Sequence, residues 1–301
     1  MRTLRVGTRG SRLALAQTKI VVDLLKGRNP GLDIEVTRVR TLGDRMRQAA
    51  DLKSAFTKEI DALLAGGGID AAVHSLKDLP AGLEDGLVLA AFPPRGDPRD
   101  ALVGRDGMRL AQLPPAPRIG TGSLRRRAQL KRLRGDAVVV EMRGNVDTRV
   151  SKVGGLDGVV LAAAGLERSG LSSMATELFD VEAMIPAVGQ GIIAVEAAER
   201  DAEVGRLLRS IDDPMARAAA DCERAFLARV GGDCGVPVAA HAEIGQGGLV
   251  RAVGMIASPD GGDLVRESAS GAAAPEVGRR LADLLLGAGG RRLIEAGRRA
   301  P

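Results

Sequence analysis

A chain of 301 residues is longer than one hydrophobic core normally fills, so two or three domains are expected. Hydrophobic residues make up 45% and charged residues 27%, close to globular averages, and 43 Lys plus Arg against 38 Asp plus Glu favours an anionic partner. Two cysteines are too few for a disulfide framework, no run approaches the ~20 apolar residues of a membrane span, and MRTLRVGTRG is not a secretion signal, so a cytoplasmic protein is expected.

Aromatic residues fall to 1%, with no Trp or Tyr, so the core must be built from Ala, Val, Leu and Ile. TLRVGT (3–8) reads as a buried strand, followed by a helix from about Ser11 to Lys26 in which Leu15, Val22 and Leu25 recur at helical spacing. Pro30 and Gly31 turn the chain. DIEVTRV alternates as a strand, FTKEIDALLAGG reads as a helix ended by glycine, and IDAAVHSL and LVLAAF read as strands. This alternation predicts an α/β fold with largely parallel pairing.

The pattern restarts after FPPRGDPRD with strands ALVGR and RIG, a basic helix from about Ser123, strand AVVVEM, helix NVDTRVSKV and strand GVVLAAA. Two stretches rich in Pro and Gly, Phe92–Asp100 and Pro186–Gly191, suggest that the chain leaves a first lobe and returns to it through IIAVEA, making a hinged cleft. From Pro214 the texture changes to a helix, the turn GGDCGVP, strands around AAHAEI and LVRAVGMIA, and a C-terminal helix. The expected division is a discontinuous first lobe (1–95 with 191–210), a second lobe (99–187) and a smaller α+β domain (214–301).

Cys234 stands between glycines and Pro237, which favour an exposed loop and a reachable thiol. Such a thiol can be a covalent anchor or a nucleophile; the plainer reading is a small residue in a turn. Cys222, inside a helix, reads as core packing. The spacing of the two cysteines and of His74 and His241 gives no support to a metal site. Asp78 follows Lys77 at the C-terminal end of a predicted strand, where open α/β sheets place ligand-binding residues, and a carboxylate there can move protons. An ordinary loop ion pair is the competing account. His74 reads as a half-buried strand residue.

Arginines gather where ligand-facing loops are expected: Arg9 after the first strand, Arg125, Arg126 and Arg127 in the first helical turn, then Arg143 and Arg149. Thr121-Gly122-Ser123 before that helix offers backbone N–H groups to an anion. Cations at a helix N-terminus oppose the macrodipole, which points to a ligand as their reason, whereas Arg127, Lys131, Arg132 and Arg134 read as a solvated basic face. Nucleic acid is a poor fit, because only Phe56, Phe92, Phe179 and Phe226 could stack on bases.

Taken together, LRVGTRGSRLALAQ, AAVHSLKDLP, DPRDALV, GSLRRRAQL, RGNVDTR, AAAGLERSGL, PAVGQG and GGDCGVP resemble, in order from about residue 4 to 240, the hydroxymethylbilane synthase family, also called the porphobilinogen deaminases. The resemblance implies a transferase with two lobes like those of periplasmic binding proteins, the site between them, and a third domain carrying Cys234. It implies a dipyrromethane cofactor held on Cys234 by a thioether, built from the enzyme's own substrate and never released. Asp78 is then the catalytic carboxylate that helps expel ammonia from porphobilinogen and steadies the resulting cation. A primer plus four units carries about twelve carboxylates, which gives the arginines a reason.

By motif position, Lys77, Ser75, Ser123, Arg125, Arg126 and Asp78 should contact the cofactor, and Arg9, Ser11, Gln17, Arg143, Arg149, Gln190, Lys53 and Phe56 the substrate. Between Thr41 and Phe56 the family's Gly-rich lid is shortened, and Lys53-Ser54-Ala55-Phe56 replaces its Lys-Gly-Leu-Phe. The resemblance further implies a monomer whose product, hydroxymethylbilane, passes to a uroporphyrinogen-forming synthase. The rival reading is a non-catalytic two-lobe protein that binds an anionic small molecule.

Overall fold

Leu4 and Val6 of the first strand, β1 (Leu4–Arg9), pack against Val21 and Leu25 of the helix that follows, α1 (Arg12–Arg28). Each such side chain, fully buried, contributes about 1.5–3 kcal/mol. Ser11 caps α1 by accepting the Ala14 N–H, and the Asn29 side chain closes it by donating to the Leu25 carbonyl. The buried stripe runs through Gln17, Thr18, Val21 and Leu25, a step round from the expected Leu15–Val22–Leu25 face. Two polar residues can sit there because each has a partner: Gln17 meets Ser75, and Thr18 Oγ1 donates to the Ala14 carbonyl at 2.9 Å.

The computed structural model describes residues 3–39, 57–231 and 236–299. After α1 come β2 (Ile34–Val39), α2 (Lys58–Ala65), which stops at Gly66, β3 (Ala71–Ser75) and β4 (Leu87–Ala91). A second series follows: β5 (Asp100–Gly104), β6 (Arg118–Gly120), α3 (Leu124–Leu133), β7 (Val138–Val140), α4 (Val146–Val150), β8 (Gly158–Ala162), α5 (Ala163–Arg168) and the short β9 (Glu177–Leu178). Then β10 (Ile193–Ala198) returns to the first sheet, whose order is β2-β1-β3-β10-β4. The second sheet is ordered β7-β6-β8-β5-β9.

Pairing is mixed rather than largely parallel. β1 runs parallel to β2 and β3, but β10 lies antiparallel between β3 and β4. The register explains why: Ile193 pairs with Ser75 and Ala197 with Ala71, so the returning chain enters where β3 leaves and can only run back along it. In the second sheet β6 is parallel to β7 and β8, while β5 is antiparallel to β8.

Beyond β10 are α6 (Ala202–Arg209), α7 (Pro214–Val230) and the meander β11 (Val238–Ile244), β12 (Val250–Ala257) and β13 (Leu264–Gly271). The expected single C-terminal helix is two, α8 (Ala274–Leu285) and α9 (Arg291–Arg299), because Gly289 at φ +109° breaks the run. Gly278 of α8 admits α7 at close range: a Cβ there would meet the Cys222 carbonyl oxygen at 2.0 Å. The chain forms two compact units, Met1–Gly96 with Ile192–Ala220, and Asp97–Gly191 with Asp221–Pro301. Among the described residues no helix is long and apolar enough to cross a membrane.

Candidate active site

In the first unit, β1 and β3 end at the same edge of the sheet and deliver their terminal residues there. Arg9 closes β1, and Ser11 is engaged as the cap of α1, its Oγ accepting the Ala14 N–H at 3.2 Å. Ser75 closes β3 and is fixed by Gln17, whose Nε2 donates to the hydroxyl at 2.8 Å. Gln17 therefore positions Ser75 from a buried site.

A single 3-10 turn, Leu76–Asp78, follows. Leu76 and Leu79 are each 2% exposed, and the Leu76 N–H donates to the Ile192 carbonyl, so the turn is anchored on both sides of its polar residues. Lys77 is half-buried and Asp78 exposed. Among the described residues the Asp78 carboxylate has no hydrogen bond or ion pair, so the loop ion pair weighed as its ordinary explanation is not found there. An unspent carboxylate on a rigid turn can give and take protons.

His74 is buried rather than half-buried, with Nε2 at 3.2 Å from Glu196 Oε2. Asp61 of α2 belongs to the same polar core, and burial together with the Glu196 charge pushes its carboxyl up to about 6.

In the second unit, Ser123 caps α3, accepting the Arg126 N–H at 3.4 Å, and its own N–H donates to Thr121 Oγ1. Arg125 and Arg126 are buried at the start of that helix, facing Asp100 of β5, which is 0% exposed. Arg125 Nη1 donates to Asp100 Oδ2 and to the Ile185 carbonyl, both at 2.6 Å. Arg126 reaches Asp100 Oδ1 through Nε at 2.9 Å and Nη2 at 2.7 Å, and the Val160 carbonyl through Nη1 at 3.0 Å. Gln190 Nε2 adds a bond to Asp100 Oδ1 at 2.9 Å and one to the Pro98 carbonyl at 2.7 Å.

Burial alone pushes the Asp100 carboxyl up, yet the two guanidiniums and the Gln190 amide hold it well below the usual carboxylate range. Burial pulls Arg126 down from its ordinary value while Asp100 opposes it.

This arrangement corrects three expectations. The macrodipole argument for a ligand loses force, because Asp100 supplies a counter-ion for the arginines. Gln190, expected along an open cleft, is 1% exposed and braces Asp100. Arg134, expected on a solvated face, donates to the Leu110, Leu113 and Pro114 carbonyls and to Asp136, stapling the segment before β6.

The arrangement also leaves a surplus. Two guanidiniums share one carboxylate, a net buried charge of plus one, and Arg125 Nε is buried with no partner among the described residues. A buried donor without an acceptor is costly, and a ligand carboxylate is the group that satisfies it. The donor set thus fits an acid-bearing cofactor.

Arg143 is exposed and donates to Glu141 at 3.0 Å; Arg149 donates to the Gly144 carbonyl at 2.7 Å. Lys53, Phe56 and Cys234 lie outside the described residues, as does the segment from Thr41 to Phe56. Cys222 is buried in α7, where burial pushes its thiol up to about 12, far from a reactive thiolate.

Two residues escaped the sequence reading. Asp100 stood in the DPRDALV motif without a role; two adjacent arginines opening a helix were the signal that an acid had to lie opposite. Arg168, at the end of α5, is half-buried; desolvation pulls its guanidinium below the ordinary value, and its Nη2 donates to the Gly191 carbonyl at 2.6 Å. Among the described residues this half-buried guanidinium has no carboxylate ion pair, so it is a further cation able to hold an anion.

The chain matches two family models: "Porphobilinogen deaminase, dipyromethane cofactor binding domain" over residues 4–206 and "Porphobilinogen deaminase, C-terminal domain" over residues 218–287. It is 50% identical over 300 residues to a porphobilinogen deaminase of Roseiflexus castenholzii, covering 97% of this chain and 98% of that protein. It is 44% identical over 301 residues to one of Syntrophotalea carbinolica, covering 97% of this chain and 95% of the other. Among solved structures, a lipoprotein from Ruminococcus gnavus overlays with a TM-score of 0.45 at 14% identity, over 72% of this chain and 93% of that one, a likeness too distant to carry any function across.

Proposed function

The chain belongs to the porphobilinogen deaminase family, and on that premise we propose that it joins four porphobilinogen molecules onto a covalent primer, with loss of ammonia at each step, and that water then cleaves the bond to the primer to release the linear tetrapyrrole hydroxymethylbilane. It is a transferase of porphyrin biosynthesis that works from a dipyrromethane primer held on Cys234 by a thioether. Its product goes to a uroporphyrinogen-forming synthase, and it acts in the cytoplasm as a monomer. Its domains are 1–95 with 191–210, 99–187, and 214–301.

The observation that carries the reading is the surplus buried cation beside Asp100, since each pyrrole unit brings carboxylates that need such donors. When bound, the primer supplies the nucleophilic ring carbon. Arg125 directs its unspent Nε at a primer carboxylate while Asp100 and the Ile185 carbonyl hold its Nη1. Arg126 holds Asp100 in place, and by motif position Ser123, Ser75 and Lys77 are further primer-binding residues. Arg9, Ser11, Arg143 and Arg149, with Arg168, hold carboxylates of the substrate and growing chain, and Gln17 and Gln190 brace Ser75 and Asp100. By motif position Lys53 and Phe56 also bind substrate.

Asp78 does the proton work. Its carboxyl delivers a proton to the departing amine of porphobilinogen, and its carboxylate steadies the cationic carbon left behind. It then accepts the proton that leaves the attacked ring once the new carbon–carbon bond has formed, which restores it for the next unit.

Replacing Asp78 with Asn tests this role. A positioned proton donor and acceptor contributes about 10²–10⁴-fold, so product formation should fall by at least about 100-fold while the covalent primer and the fold persist. Turnover within about twofold of the wild-type rate would remove Asp78 from the mechanism. A non-catalytic binder of small anions would show no ammonia release from porphobilinogen to begin with.

A further inference from the structure

The Glu223 side chain is 1% exposed on α7, and its two oxygens join elements far apart in sequence. Oε2 accepts the Gly189 N–H at 2.6 Å, and Oε1 accepts the Ala242 N–H of β11 at 2.8 Å. His241 Nδ1 lies 3.7 Å from the same Oε1. Gly189 has φ +73°, so the loop that offers this N–H depends on a backbone shape glycine tolerates and most residues resist. All of these groups belong to the second compact unit.

What the carboxylate connects gives it more than a packing role. α7 ends at Val230 and β11 begins at Val238, so Glu223 ties together the two elements that enter and leave the stretch containing Cys234. Its other oxygen holds the residue before Gln190, whose amide braces Asp100, the counter-ion of Arg125 and Arg126. One buried carboxylate is therefore bonded both to β11, the first strand after Cys234 in sequence, and to the loop that precedes Gln190.

We propose that Glu223 is a positioning residue for primer attachment, fixing α7 and β11 against the loop that carries Gln190 and, through it, the Asp100–Arg125–Arg126 cluster. The inference rests on the function proposed above. An amide can keep only one of the two bonds, because glutamine turns its NH2 group toward the other backbone N–H donor.

The test uses apo-protein made in cells unable to supply porphobilinogen, incubated with porphobilinogen, with covalent primer followed by intact mass over time. In Glu223→Gln primer uptake should slow by about 100-fold, the scale of a misplacement near 1 Å, under conditions where circular dichroism shows the variant folded. Gln190→Ala should slow uptake too, and the double variant should lose less than the product of the two single losses, since both act along one chain of contacts.

Wild-type uptake in folded Glu223→Gln, or independent multiplication of the two losses, overturns the proposal. If Glu223→Gln does not fold, hydrogen exchange of the wild-type protein decides: strong protection of the Gly189 and Ala242 amides supports it, and exchange at the rate of open amides overturns it. Wild-type protein that never gains primer mass would instead overturn the functional reading.

Discussion

Asp100 concentrates the energetics of the arginine site in one side chain. It is fully buried and accepts bonds from Arg125, Arg126 and Gln190, so replacing it with Asn strands two guanidiniums in a low-dielectric setting. Breaking a buried ion pair in this way costs about 3–5 kcal/mol, which urea denaturation of Asp100→Asn should report; an unchanged midpoint would contradict the network. Arg126→Leu should impair primer loading as well as stability, because it releases Asp100 and with it the orientation of Arg125. Asp61 makes a prediction of the opposite sign. Its carboxyl is raised from 3.8 to about 6 in the folded protein, so folding takes up a proton between those values, and stability from this group rises as pH falls through about 6. Asp61→Asn, which mimics the protonated form, should be more stable than wild type at about pH 8, with the gap in Tm shrinking toward about pH 5. A gap independent of pH would refute the assignment.

At the scale of elements, α7 and α8 meet where glycine permits it. Gly278→Ala places a methyl carbon 2.0 Å from the Cys222 carbonyl, and backbone cannot yield as a flexible side chain would. Overpacking of this kind typically costs about 1–3 kcal/mol, so thermal unfolding should show a clear loss; a neutral outcome would mean that the helices separate freely. Much of the fold at this scale was legible in sequence. Alternation exposed β2 and the β11–β12 pair, Gly66 marked the end of α2, and IIAVEA showed itself as a returning strand. The direction of β10 was not legible, because pairing sense depends on where the chain re-enters the sheet, which register alone reveals. LVRESASG gave no signal for β13, since Arg266, Glu267, Ser268 and Ser270 are polar and its one buried residue is the small Ala269. The partners of Arg125, Arg126 and Arg134 were hidden for a related reason: Asp100 lies 25 residues from Arg125 in sequence, and the carbonyls that receive Arg134 carry no side-chain signature. Asp78, by contrast, could be picked out in advance, because a carboxylate at the end of a buried strand is conspicuous wherever the turn that follows is apolar on both sides.

For the molecule as a whole, the proposed tasks fall on separate elements: proton transfer on Asp78 in the turn after β3, carboxylate binding on Arg125 and Arg126 of α3 facing Asp100 of β5, and primer attachment on Cys234, between α7 and β11 in sequence. What unites these tasks is a covalent primer on Cys234, the central claim. The most direct test is the intact mass of the purified protein, before and after exposure to porphobilinogen, alongside Cys234→Ser. The wild-type chain is predicted to carry the added mass of two deaminated porphobilinogen units and Cys234→Ser none. A wild-type chain that stays at bare polypeptide mass after exposure to porphobilinogen, or a Cys234→Ser protein that gains the same mass, would contradict it.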